Sequence, residues 1–253
     1  MGAGGVQSLG RAIDLLELLA EEDEMSLGSL AARSGLPAPT IHRLMATLVQ
    51  RGYVRRLPSR GYAIGARLIH LGDRASGAVA AIARPHLASL VEEIGETANL
   101  ALLDGDRVVY VAQVPSRHSM RMFTEVGRRV RLHCTGVGKV LLAQLPPDDV
   151  RDLLTRSGMP GQTDRTVTDP DELLEQLPDI AARGFALDDG EQETGVRCIA
   201  VPVPGISAEM AMSVSGPEGR LPLESVPRLV PSLEKAAAGL AADLRGKDAG
   251  DQR

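Results

Sequence analysis

Leu9, Ala12, Ile13, Leu16 and Leu19 recur three and four residues apart, with polar and acidic positions between them. That period predicts a first helix over about residues 8–21, with the stripe turned inward. A second helix is expected from Ser26, carrying Leu27, Leu30 and Ala31 to a core. Ser34-Gly35-Leu36-Pro37 then breaks it, because Gly35 suits the left-handed position after a helix and Pro37 the start of the next. Ile41, Leu44, Met45 and Leu48 mark the apolar face of a third helix over about residues 37–51, ended by Gly52. Tyr53-Val54 and Tyr62-Ala63-Ile64 read as short strands around the turn Pro58-Ser59-Arg60-Gly61. Helix, helix, tight turn, helix and hairpin is the layout of a winged helix-turn-helix.

Beyond it, Leu68, Ile69, Leu71, Val79 and Ile82 predict a linker helix. A further helix closes at Gly95, and a strand pair over about residues 98–114 is joined at Asp104-Gly105-Asp106, a strong hairpin signal. A strand is expected over residues 120–124, and helices within TGVGKVLLAQL and over residues 148–156. Thr168-Asp169-Pro170 opens another helix and Gly184 stops it. Strands follow over residues 185–188, 199–203 and 210–214, with a last helix over residues 223–244. The fold class is therefore α+β. The expected division is a winged helix-turn-helix domain over 1–65, a linker helix over 66–84, an α/β domain over 85–246 and a flexible tail over 247–253.

Composition narrows the function. Of 253 residues 43% are apolar, with three Tyr, two Phe and no Trp. The core must be aliphatic, and base stacking on aromatic platforms is excluded as the mode of nucleic-acid binding. No apolar run approaches the ~18 residues of a membrane span, and Arg11 and Asp14 interrupt any signal peptide; a cytoplasmic protein is expected, without membrane partners. Cys134 and Cys198 form no disulfide framework, and with only His133 adjacent they lack the spacing of a metal site. No cofactor is expected.

The formal net charge is −5, but it is unevenly spread. Arg33, Arg43, Arg51, Arg55, Arg56, Arg60, Arg67 and Arg74 face a single acid, Asp73, over residues 33–74. A basic module joined to an acidic partner domain is the distribution of a DNA reader; a solvated basic face is the alternative. In a helix-turn-helix the exposed face of the second motif helix enters the major groove. Thr40, His42, Arg43 and Thr47 lie off the apolar stripe there, and Arg56 and Arg60 lie on the wing. These six are the candidate contacts to double-stranded operator DNA.

The blocks SLGRAIDLLELLA, SLGSLAARSGLPAPTIHRLMATLVQRGYVRR, YAIGARLIHLG, ARPHLASLVEEIGET, HCTGVGKVLLAQL, GVRCIAVPV and SVSGPEGRL resemble, in order, those of IclR-family transcriptional regulators. The resemblance runs over about residues 6–244. It implies a GAF-like effector domain after the linker, assembly as a homodimer or tetramer, and regulation, most often repression, of catabolic genes through a small-molecule effector. GETANLALL and MRMFTEVGRRVRLHCTGVGK resemble the branch of allantoin-utilisation repressors, which implies an effector such as allantoate or glyoxylate. Ala38-Pro39 stands where the family commonly has Lys-Ser, so a cation and a hydroxyl are missing before Thr40.

The resemblance maps effector contacts onto Gly136, Val137, Asp188, Val196, Cys198, Ser213 and Ser215. Thr135-Gly136-Val137-Gly138 precedes an apolar helix; its backbone N–H groups could meet an anion, or its glycines could only relieve a tight turn. It is no phosphate loop, since His133 takes the place of the first glycine and Val140 that of the hydroxyl. Strand alternation sets Ser213 and Ser215 on one face, opposite Met212 and Val214. The turn after Val203 is about two residues shorter than is usual in the family. An enzyme would need Cys198 with Asp188, or His133 with Cys134, as nucleophile and base. No motif supports either pair, so a non-enzymatic regulator is expected, with a redox role for the two thiols as a further alternative.

Overall fold

The structure is a computed structural model that describes residues 6–121, 125–206 and 209–250. The chain divides into two compact units, residues 1–77 and 78–253.

In the first unit, helices α1 (Gln7–Ala20), α2 (Leu27–Ser34) and α3 (Ala38–Gln50) enclose a small aliphatic core of Leu15, Leu19, Leu30, Ile41, Met45 and Leu48. The Ser26 hydroxyl caps α2 by accepting from the Ser29 N–H at 3.0 Å, and Gly35 ends it at φ 67°, a left-handed conformation glycine adopts without strain. Strands β1 (Val54–Arg56) and β2 (Tyr62–Ile64) make the wing. Met25 adds an isolated bridge to Tyr62 that the sequence pattern does not reveal. The stripe expected to face inward on α1 is only partly buried. Leu15 and Leu19 are the buried residues of this helix, whereas Leu9 is 60% and Ile13 46% exposed. Leu9 and Ile13 line an open groove of about 610 Å³ between α1 and α3.

Helix α4 (Arg67–Ile94) runs unbroken through Pro85, where a separate helix was expected to start after residue 84. Proline removes one backbone donor from a helix, and the helix continues past it until Gly95, at φ 85°, stops it. The division between the two units falls within α4.

The second unit is built on a six-stranded sheet in the order β5-β4-β3-β8-β7-β6, antiparallel throughout. The strands are β3 (Thr97–Asp104), β4 (Arg107–Val114), β5 (Arg129–Val130), β6 (Ala186–Asp189), β7 (Val196–Pro202) and β8 (Met210–Pro217). Both edges are short, which limits pairing with other chains. One face packs Leu100, Ile199 and Met212 against Leu87 and Leu90 of α4 and Leu233 and Leu240 of α8 (Val226–Gly250). The other face is covered by α5 (Gly136–Leu142), behind which lie α6 (Pro147–Ser157) and α7 (Pro170–Arg183). Asp169 caps α7 through Asp171 and Glu172 N–H groups, and Gly184 ends it at φ 78°. A strand expected over residues 120–124 is absent at Met120 and Arg121, and residues 122–124 lie outside the described residues; β5 forms later instead. The expected tail is corrected as well, since α8 continues as helix to Gly250. No helix among the described residues is long and apolar enough to cross a membrane.

Candidate functional site

On α3, Ile41, Met45 and Leu48 face the core, so the 100° advance per residue turns Arg43 to the opposite side, with Thr47 and Gln50 on the same stripe. Arg43, His42 and Thr47 are exposed and Thr40 is half-buried. The Thr47 hydroxyl donates to the Arg43 carbonyl at 3.2 Å, one turn back. Gln50 was missed, though helical periodicity places it.

The start of α3 is short of donors. Pro39 has no N–H, and the Thr40 and Ile41 N–H groups already bond to the Pro37 carbonyl at 2.9 and 3.1 Å. No side chain caps this end. An anion at this terminus therefore meets fewer backbone donors than a helix start ordinarily offers.

In the wing, Arg55 and Arg56 are exposed on β1, and Arg60 holds the turn at φ 69°. The Ser59 hydroxyl donates to the Glu24 carboxylate, and Gly61 sits where any Cβ would meet that carboxylate. Arg33, counted with the basic stretch, is paired with Glu21 and lies 3.8 Å from Glu22. Among the described residues Arg43, Arg55, Arg56 and Arg60 form no ion pair and are exposed, as is Arg51 at the end of α3, so they are free to meet phosphate.

The α5 face of the sheet has a distinctive arrangement. Register places Asp188, Cys198, Ser215 and Thr97 in one row across β6, β7, β8 and β3. The next row is Ala186, Ala200, Ser213, Asn99 and Gln113, and the following one holds Ala211, Ala101 and Tyr110. Directly opposite residues project to the same side. Alanines thus make a floor on which α5 packs, and the polar groups gather at one end. Val196 lies on the same side, half-buried at the start of β7 opposite Pro217.

Gly136 and Gly138 serve close packing. A Cβ on Gly136 would come 3.2 Å from Cys198 Sγ, and one on Gly138 within 2.6 Å of Leu132 Cα. Thr135 caps the Gly138 N–H at 3.1 Å, and the Gly136 N–H is directed at the Cys198 sulfur. The Val137 side chain is fully buried in the core. Both glycines thus act sterically, and the Gly138 amide is already engaged. Lys139, buried, is held by Glu191, itself buried on the loop after β6. Nothing in the sequence marks this pair, whose members are 52 positions apart.

Asp188 is buried, and its Oδ1 accepts from the Glu191 and Gln192 N–H groups at 2.7 and 3.2 Å. Burial outweighs those bonds and raises its carboxyl from 3.8 to about 7. Burial, and then the nearby Asp188, raise Cys198 to about 11 and Cys134 to about 12. Burial also raises Tyr110 and lowers His133. Cys198 and Cys134 are therefore protonated thiols, and neither has the thiolate a nucleophile needs. Among the described residues no group of three or more His, Cys, Asp or Glu could hold a metal.

A basic winged module joined to a sheet domain with buried polar groups at one end of a face is the make-up of a DNA-binding regulator. Comparison with known proteins gives the family. Residues 8–58 match the IclR helix-turn-helix domain and residues 75–242 the bacterial transcriptional regulator IclR C-terminal domain. The chain belongs to the IclR family of DNA-binding transcriptional regulators. It is 37% identical over 257 residues to the HTH-type transcriptional regulator BhcR of Paracoccus denitrificans, covering 99% of this chain and 92% of that one. It is 38% identical over 242 residues to the transcriptional repressor IclR of Escherichia coli, covering 92% and 88%. The solved IclR homolog from Microbacterium hydrocarbonoxydans, complexed with 4-hydroxybenzoate, superposes with TM-score 0.82 at 25% identity, covering 95% and 100%. These relatives are transcriptional regulators and not enzymes.

Proposed function

We propose that this chain represses a catabolic operon in the cytoplasm and releases double-stranded operator DNA when a small acid occupies the polar end of the α5 face. The acid is a small carboxylate or ureide, with allantoate and glyoxylate the first compounds to test. Arg43 on α3 reads the major groove, with His42, Thr47 and Thr40 beside it, and Arg56 and Arg60 follow the backbone from the wing. Two or four copies act together, so that paired winged modules meet a pseudo-palindromic operator. Helix α4 carries the chain from one unit into the other, and in this reading it carries the signal as well.

The sensing half rests on one observation. Asp188, Cys198, Ser213 and Ser215 bring buried polar groups from three strands to one end of a face whose middle is lined by alanine. With Val196, Gly136 and Val137 at its margins, this polar cluster is the effector site of the proposal. The E. coli relative is named a repressor and the Microbacterium homolog holds an aromatic acid, which favours repression and an acid effector. A gel-shift titration with the DNA upstream of the chain's own gene, with and without each acid, tests the proposal. Binding that is lost as salt rises and relieved by one of the acids is expected. Operator affinity unmoved by every acid would refute the sensing half.

A further inference from the structure

Among the described residues, two groups on the α5 face make no hydrogen bond: Nδ2 of Asn99 and Oγ of Ser213, both on residues with no exposed surface. They stand directly opposite one another on β3 and β8, which directs both side chains to the same side about 5 Å apart at Cβ. The Cys198 thiol, a weak partner, lies near Ser213. The Asn99 amide is held in one orientation, because Gln113 Nε2 donates to its Oδ1 at 3.1 Å from the neighbouring strand. Nδ2 is thereby left as the donor presented to the face.

Burying an unsatisfied amide and hydroxyl is costly. The surrounding positions avoid that cost with Ala101, Ala200 and Ala211. Asn99 sits in the row next to Ser215 and Cys198, about 7 Å away along the strand and within reach of one small acid.

We propose that Asn99, positioned by Gln113, donates to a second oxygen of the effector, one outside its carboxylate, and that Ser213 shares that oxygen. The inference rests on the effector reading above and adds a specificity determinant to it: the site selects acids that carry a further hydroxyl or carbonyl oxygen. A site that hydrogen-bonds such an oxygen discriminates against the analogue lacking it, because its own donors are then left unpaired.

Calorimetric titration of the full chain with acids that differ by one oxygen, glyoxylate against acetate and 4-hydroxybenzoate against benzoate, reads the contact. The wild-type chain should favour the oxygenated member of at least one pair by about tenfold. Asn99→Leu should bring that ratio near unity while leaving affinity for the plain acid within about twofold. Gln113→Leu, which frees the amide to turn, should lower the ratio by less. Asn99→Asp, of the same shape but without the donor, should lose the preference too, and serves if the leucine variant fails to fold. An unchanged ratio in the folded Asn99 variants overturns the proposal. If Ser215→Ala meanwhile abolishes binding of both members, the effector reading stands and only the Asn99 contact falls. If the wild-type chain binds none of the four acids, the acid-effector reading fails and this inference with it.

Discussion

Asp188→Asn should make the protein more stable, and increasingly so as pH rises. Raising a buried carboxyl from 3.8 to about 7 corresponds to about 4 kcal/mol between its two ionisation states, at about 1.36 kcal/mol per pH unit. Between those values the folded chain binds more protons at Asp188 than the unfolded chain does. Stability from this group is therefore full below about pH 4, falls as pH rises through 7, and is flat above. Asparagine keeps an Oδ1 that can accept from the Glu191 and Gln192 N–H groups, and it has no charge to bury. Of the total, about 2.5 kcal/mol accrues between pH 5 and pH 8, and this is the gain expected for the variant over wild type across that range. His133 works in the other direction, since burial lowers its pKa and its contribution rises with pH. It is common to both proteins and cancels in the difference. Urea unfolding of the pair at pH 5, 6, 7 and 8 measures this directly. A gap that stays constant across the range, or that moves in favour of wild type as pH rises, would refute the account of Asp188.

Gly138→Ala should lower stability by about 1–3 kcal/mol or more, because the new Cβ meets the Leu132 backbone and not a flexible side chain; Gly10→Ala, on a helix with open space, should be neutral or gain up to about 1 kcal/mol, and thermal melting separates them. Lys139→Met strands the buried Glu191 carboxylate and should cost about 3–5 kcal/mol in urea unfolding. The double variant Lys139→Met/Glu191→Leu should recover much of that loss. Cys134 and Cys198 are buried and raised to about 12 and about 11. Neither should react with a thiol-specific reagent at pH 8 until the chain is unfolded, and rapid labelling of the native protein would reopen a redox role.

The winged module was legible because its signals are local. Ser26, Gly35 and the 3.6-residue period fix α2 and α3 without help from distant parts of the chain. The α1 stripe was misread for a related reason: Leu9, Ile13, Leu15, Leu16 and Leu19 wrap more of the helix than one neighbour covers, and periodicity does not say which part is buried. Pro85 has the sequence mark of a helix start, and only packing on the sheet shows the helix continuing through it. In the sensing domain the strands other than β5, the Gly105 turn and the Ser213 and Ser215 alternation are readable, whereas the strand expected over residues 120–124 is not formed at Met120 and Arg121; the family resemblance supplies Asp188 and Cys198. Asn99 and Gln113 were not found, since each is one polar residue in an apolar strand and gains meaning only when register sets it beside Ser213. Lys139 and Glu191 carry no mutual signal in the chain either, because a buried ion pair is defined by the fold alone.

Acid binding at the polar end of the α5 face should govern DNA reading by α3. Fluorescence anisotropy of a labelled upstream duplex, titrated with wild type, Arg43→Ala and Ser215→Ala in the presence and absence of the best-binding acid, tests both halves together. The account predicts an affinity loss of about 1–3 kcal/mol for Arg43→Ala, acid-driven release of the wild type, and a Ser215→Ala chain that still binds DNA but no longer responds to the acid. Unchanged affinity in Arg43→Ala, or full acid response in Ser215→Ala, would contradict it.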